Sequence, residues 1–423
     1  MTTRWRHRLA LATTTLMLLA ACGAQDDPVT EDRDTETDDT TVGDGGDGTL
    51  LLGYVLPETG DLQFLGPPMI AGTEMAVADI NAAGGVLGRD VELLTGDEAG
   101  DTAVASEAAQ QHLASGVDAV IGAAASAMTL AIIDAITGAE VVQCSPSNTT
   151  PTLTAYDDGG YFFRTAPTDV LQGPVLAETI VADGHTRVAL LARSDDYGQG
   201  LAESTSEALA EQGAEVVAEV IYDPGATTFD PEVGEALAPD PDAVVIIGFE
   251  ESAQILQVLI EQGRGPGDFP VYGGESLRST DLPAKVDPND PEVLSGLKGT
   301  APTSDAEQEF IDRLRTFRDV PDTLFAAESY DCVIIVALAA QAAGTDDPSV
   351  FVDEMVAVTR DGTSCASFEE CAALLEEGED IAYAGVSGMG ELNDAGEPSR
   401  GLYEVWEFVG AEIETLDEIE SRL

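Results

Sequence analysis

A chain of 423 residues with 44% hydrophobic content is long enough for two domains with substantial cores. Its 79 acidic residues face only 18 basic ones, for a formal net charge of −61, and Lys285 and Lys298 are the only lysines. This balance excludes nucleic acid and anionic membrane surfaces as partners, because both are held through basic patches.

Such a charge keeps the chain soluble and makes the folded body repel itself. Salt at 1 M shortens that repulsion to roughly 3 Å, so the composition points to adaptation to high salinity.

The first eight residues, "MTTRWRHR", carry three arginines, and the apolar stretch "LALATTTLMLLA" follows. This is the pattern of a signal peptide over residues 1–21. It is shorter than the roughly 20 apolar residues of a membrane span. Leu19 to Cys22, "LAAC", resembles the bacterial lipobox, whose cysteine is lipidated and becomes the first residue after cleavage. An ordinary signal peptide with an incidental cysteine is the alternative. No other apolar run of 18 or more is evident, so lipid alone would hold the chain at the membrane.

Residues 22–48 follow as an acidic linker, with ten acids and almost no apolar content after Cys22. Disorder is expected, with a span of roughly 25–30 Å as a flexible coil. Its "GDGGDG" end lacks the full calcium-loop pattern.

From residue 49 the pattern is βα. "TLLLGYVL" (49–56), "VELLTG", "DAVIGAA" and "EVVQCS" read as strands, separated by helices at 67–85, 101–114 and 126–137. A second set of strands is expected at 187–193, 215–223, 242–249 and 269–276, with helices at 169–183, 197–212 and 251–262. The strands are apolar on both faces, as parallel sheets require. Helices are expected at 305–318, 323–343 and 348–359, and a closing strand at 402–410. The fold class is therefore α/β, with two doubly wound parallel-sheet lobes joined by a hinge. Lobe 1 takes residues 49–165 and 299–378, lobe 2 takes 166–298, and 379–423 form a crossover and a last lobe 2 strand.

Four cysteines remain outside the signal region, Cys144, Cys332, Cys365 and Cys371. An even number outside the cytoplasm suggests two disulfides, with three possible pairings. Cys365 and Cys371 flank the short loop "ASFEE" and can close locally, which leaves Cys144 with Cys332. The spacing and the lack of nearby His disfavour zinc. No metal or cofactor is expected.

Polar groups cluster where strands end. Ser126 starts a helix after "AVIGAAA". Ser145, Ser147, Thr149 and Thr150 follow "VVQC", Tyr197 follows "RVALLARSDD", Phe249 and Glu250 follow "VVIIG", and Glu275 follows "VYGG". Each has a plain structural reading: Ser126 as an N-cap, the Ser/Thr run as a turn, Tyr197 and Phe249 as packing, Glu275 as one solvated acid among many. Their shared position at the carboxyl edges of the strands favours a ligand cleft.

These stretches resemble the type I periplasmic binding proteins, in the branched-chain amino-acid (leucine/isoleucine/valine) branch. "AGTEMAVADINAAGGVLGRDVELL" (71–94), "GAAASAMT", "CSPSNTTPTLT", "RSDDYGQGL" and "GFEESAQIL" match in order and spacing, over roughly residues 49–410. The resemblance implies that Ser126 and Thr149 bind a ligand carboxylate with the Ser147 backbone, that Tyr197 and Phe249 line the cleft, and that Glu275 pairs with the ammonium. Leu65 falls near a first-lobe aromatic of the family, and Phe249 stands where leucine-binding members carry Tyr. A carboxylate can be held by neutral donors and a helix N-terminus, so the scarcity of cations is no obstacle.

The function so implied is a lipid-anchored receptor on the extracytoplasmic face of the cell membrane. It would be a monomer that delivers an amino acid to an ABC permease and ATPase complex. A ligand sensor on the same fold is the alternative, as is a receptor for an amide, urea or aromatic acid. An enzyme is not expected: G-x-S-x-G, H-E-x-x-H and P-loop patterns are absent, and no G-x-G-x-x-G stands between a strand and a helix as a dinucleotide fingerprint requires.

Overall fold

The structure is a computed structural model that describes residues 46–304, 308–320 and 322–423. The expected signal peptide, Cys22 and the expected linker up to residue 45 lie outside the described residues. The expected disorder of the linker does not extend to Gly48. Asp346 accepts the N–H groups of Gly48 and Thr49 at 2.7 and 3.0 Å, and Arg89 donates to the Asp47 carbonyl at 3.0 Å.

In chain order the strands are β1 Leu51–Val55, β2 Glu92–Leu94, β3 Ala119–Gly122, β4 Val142–Ser145, β5 Phe162–Arg164, β6 Arg187–Arg193 and β7 Glu215–Tyr222. They continue with β8 Ala243–Ile247, β9 Val271–Gly273, β10 Lys298–Pro302, β11 Thr363–Cys365, β12 Ile381–Tyr383, β13 Arg400–Val409 and β14 Glu412–Arg422. The first lobe has a five-stranded parallel sheet, order β2-β1-β3-β4-β5. The second has a seven-stranded sheet, order β14-β13-β10-β9-β8-β6-β7, antiparallel only at β10/β13 and β13/β14. A small parallel pair, β11-β12, stands apart.

Local chemistry sets the helix ends. Asp101 caps the helix Thr102–Ser115 by accepting from Ala103 and Val104, and Gly116 ends it at φ 77°. Asp195 caps Asp196–Glu211 by accepting from Gly198. The helix Ala326–Ala343 is the spine of the first lobe and packs along Gly66–Ala82. The two approach so closely at Gly72 that a Cβ there would lie 2.1 Å from the Ala326 carbonyl oxygen. This spine is 18 residues long and apolar enough to cross a membrane, which corrects the expectation that no such run follows the signal peptide. It is a core helix, with its first 15 residues buried.

The chain passes between lobes three times, and the passes touch. Arg164 N donates to the Gly396 carbonyl and Thr303 N to that of Leu402. The expected return to lobe 1 at residue 299 falls inside β10, which belongs to the second sheet. The expected helix 348–359 is a short helix Pro348–Phe351 followed by two 3-10 turns. The closing strand at 402–410 is half of a hairpin with β14. Disulfides join Cys144 to Cys332, from β4 to the spine helix, and Cys365 to Cys371.

Candidate functional site

The carboxyl ends of β3 and β4 are stitched together by hydrogen bonds. Ser145 Oγ donates to the Ala123 carbonyl at 2.8 Å, Ser147 Oγ to Ala124 at 3.0 Å, and Asn148 Nδ2 to the same oxygen at 2.6 Å. Ser145 Oγ in turn accepts from the backbone of Asn148 at 3.2 Å. The neutral run that follows β4 thus locks its own loop against the start of the helix Ser126–Thr137. Ser126 is not the N-cap: Ala125 takes that place, and Ser126 opens the first turn. Its N–H therefore belongs to the electropositive helix end.

The second lobe faces this surface with an aromatic wall. Tyr197 and Phe249 stack at 5.1 Å between centroids, 16° from parallel. The Arg193 guanidinium lies 3.7 Å over the other side of the pair, on the Phe249 ring. Arg193 is itself held by Asp195 at 2.6 Å and Glu251 at 3.1 Å. The Tyr197 hydroxyl meets Ser276 Oγ at 3.0 Å, and Ser276 donates to the Gly248 carbonyl at 2.6 Å.

Two acids complete the second lobe's share. Glu275, first residue of the turn after β9, is 5% exposed and accepts from Gln172 Nε2 at 2.7 Å. Burial pushes its carboxyl above the ordinary range. Asp169 opens the helix Asp169–Ala182 and is fully buried. Burial first, then the charge of Glu275, holds its carboxyl well above the usual carboxylate range. Among the described residues its oxygens and Gln172 Oε1 find no hydrogen-bond partner of good geometry, although the Thr149 hydroxyl stands beside Asp169 and offsets part of the rise. Unpaired groups this deep are costly, and they converge on one place.

Leu65, Ser126, Ser147, Tyr197, Phe249 and Glu275 line one cavity with Leu62, Phe325 and Ser276. The lining combines neutral hydroxyl groups, one acid, and leucine and aromatic side chains. Thr149 is not in that lining; it lies next to Asp169. A larger, shallow depression around Met75, Asp79, Arg313 and Phe317 is on the outside of lobe 1, away from these strand ends. Among the described residues no cluster of His, Cys, Asp and Glu is arranged to hold a metal ion.

Residues 49–369 match the family described as periplasmic binding protein. The chain is 28% identical over 308 residues to Leu/Ile/Val-binding protein homolog 3 of Brucella melitensis, covering 72% of this chain and 82% of that one. This protein belongs to the type I periplasmic binding proteins of the branched-chain amino-acid family. Its relatives are substrate-binding proteins, not enzymes.

A chemotactic signal transduction system substrate-binding protein, BasB of Halobacterium salinarum, is 29% identical over 390 residues, covering 88% of this binding protein and 90% of BasB. The branched-chain amino acid transporter substrate-binding protein LivJ of Streptococcus pneumoniae, solved with isoleucine, superposes with a TM-score of 0.72 at 25% identity. That match covers 88% of this chain and 99% of LivJ.

The binding protein's site contains residues that the sequence does not single out. Asp169 is one acid among 79, and nothing local marks it. Phe325 reaches the cavity from the passage before the spine helix, with a left-handed φ of 60°. Leu62 and Ser276 arrive on turns whose direction depends on tertiary packing. Glu98 is a fifth: its carboxyl group accepts from Ala124 and Ala125 at 2.7 and 3.3 Å, just under the helix end that Ser126 opens. Burial pushes its carboxyl up to about 8.

Proposed function

We propose that the protein closes around one free amino acid with an aliphatic side chain and hands it to an ABC permease and ATPase complex. It would do so as a monomer anchored by a lipid on Cys22, at the extracytoplasmic face of the membrane. The observation that carries this reading is the make-up of the cavity lining. That lining brings Ser126 and Ser147 of lobe 1 together with Glu275 of lobe 2 and the apolar Leu62, Leu65, Phe249 and Phe325.

A zwitterion fits that arrangement. Its carboxylate takes the Ser126 hydroxyl and the N–H groups of the helix end that Ser126 opens. Its ammonium goes to Glu275, with Asp169 close behind. A ligand with no net charge also enters the field of a −61 protein without penalty. The aliphatic wall selects a side chain of leucine, isoleucine or valine type over a polar one. The titration of these three, other amino acids, amides, urea and aromatic acids by calorimetry tests the assignment. Glu275→Ala must lose most of the affinity for the amino acid that binds, and unchanged affinity contradicts the ammonium subsite.

A second reading is favoured by the likeness to the Halobacterium chemotaxis protein: the same ligand-bound form would report to a signalling partner. ATP hydrolysis by a reconstituted permease complex separates the two. Stimulation by the liganded protein supports import, and none with a normal ligand affinity supports sensing.

A further inference from the structure

A cation bridges the two lobes beside the ligand cavity. Arg278 ends the turn that begins at Glu275, and its N–H donates to the Glu275 carbonyl at 3.0 Å. Its Nη1 lies 3.2 Å from both oxygens of Asp322, and its Nε pairs with Glu404 of β13. Arg278 and Glu404 belong to lobe 2. Asp322 belongs to lobe 1, between the helices Gln308–Phe317 and Ala326–Ala343, both of which pack on Gly66–Ala82.

Asp322 also shapes the ligand cavity. Its Oδ1 accepts from the N–H groups of Thr323 and Leu324 at 2.6 and 3.1 Å. Those two residues lead directly into Phe325, whose left-handed backbone turns its ring into the cavity wall. One chain of contacts therefore runs from Glu275 to Arg278, across the cleft to Asp322, and back to Phe325.

We infer that Arg278 and Asp322 form a closure latch: the pair assembles when the lobes meet, and it positions Phe325 over the ligand. This rests on the amino-acid reading of the cavity. Opening the lobes separates the pair, because its members move with different sheets. The side chains are 22% and 19% exposed, enough shielding for the pair to outweigh an ordinary surface ion pair. Arg278 also neutralises two acids that would otherwise face each other across the cleft, Asp322 and Glu404. Its loss leaves repulsion as well as a missing contact.

The latch acts on the closed form, so it slows ligand escape more than it speeds entry. The test is stopped-flow and calorimetric titration with leucine on the full chain, for R278Q, D322N and the double variant. R278Q should weaken leucine about tenfold, nearly all of it in the dissociation rate, and D322N about fivefold. The double variant should bind no worse than R278Q, because D322N removes the repulsion that R278Q creates. Multiplying losses, or losses confined to the association rate, overturn the latch. So do variants that lose thermal stability while leucine affinity stays unchanged.

Small-angle scattering of the same variants reads closure without kinetics. Latch variants should be more extended than the wild type under identical conditions, and equal dimensions contradict the proposal. A wild type that binds neither leucine nor any other amino acid tested defeats the ligand reading instead, and the scattering arm still decides the latch.

Discussion

Gln172 Nε2 donates to Glu275 Oε2 at 2.7 Å, and this bond ties the acid at the end of β9 to the helix that carries Asp169. Two carboxyl groups from different parts of lobe 2 are thereby held in one buried place. Both are raised above the ordinary range, Glu275 by burial, Asp169 by burial and then by Glu275. The free site therefore keeps proton on this pair to a higher pH than ordinary carboxyls do.

Ligand binding should release proton. An ammonium beside the pair favours the ionised form, so its arrival lowers the raised values. Affinity for leucine should rise with pH through the range in which the free pair titrates, and level off above it. Calorimetry in two buffers of different ionisation enthalpy reads the proton directly. Glu275→Gln and Asp169→Asn should each reduce the release.

The aromatic wall should carry a large share of affinity. Phe249 is fixed between Tyr197 and the Arg193 guanidinium, so it presents a rigid surface at little entropic cost. Phe249→Ala should cost about 2–3 kcal/mol of binding, the scale of a buried aromatic anchor. A leucine titration checks this, with Phe249→Leu as a milder change.

The two disulfides should contribute unequally. Cys144–Cys332 closes a separation of 188 residues, Cys365–Cys371 one of six. The chain-entropy relation gives about 5 kcal/mol for the first and about 2 kcal/mol for the second. Urea unfolding of the paired Cys→Ser variants measures both. Cys144 immediately precedes Ser145, so the first variant should also loosen the ligand loop and weaken binding.

Much of the α/β frame is legible in the sequence because its strands are buried on both faces. The expected strand 187–193 and helix 126–137 match β6 and Ser126–Thr137 to the residue. The hairpin partner β14, "EIETLDEIESR", is not legible: it lies on the sheet edge, almost wholly exposed, and its acids hide the alternation. The helix expected over 348–359 breaks because tight turns at Val352–Glu354 and Ala357–Thr359 replace its later part. Strand-end residues of the site are legible through position, since Ser126, Tyr197, Phe249 and Glu275 each follow an apolar run. Asp169 and Phe325 are not, because the passages between lobes bring them in, and no local pattern encodes where those passages lead.

Stability should fall as pH rises from acid toward neutrality. Burial pushes Glu98 and Glu328 each up to about 8. Between the ordinary carboxylate range and that value, the folded protein holds protons that the unfolded chain has released. Unfolding free energy then decreases with pH, by up to about 1.4 kcal/mol per pH unit for each group. Glu98→Gln and Glu328→Gln should flatten the profile, as read by denaturant midpoints between roughly pH 5 and 8.

Salt should stabilise the fold. The screening length shrinks from about 10 Å at 0.1 M to about 3 Å at 1 M, which mutes repulsion among the acids of a −61 chain. Thermal midpoints should climb steadily over that range. A flat response would separate the acidity from salt adaptation.

The central claim is that a dipolar head group is gripped at both ends. The most direct measurement is a calorimetric comparison of leucine with two truncated analogues, 4-methylpentanoate without the ammonium and 3-methylbutylamine without the carboxylate. Leucine should bind, with both analogues at least about 100-fold weaker, since each leaves buried polar groups unpaired. Equal binding of leucine and 4-methylpentanoate would contradict the account.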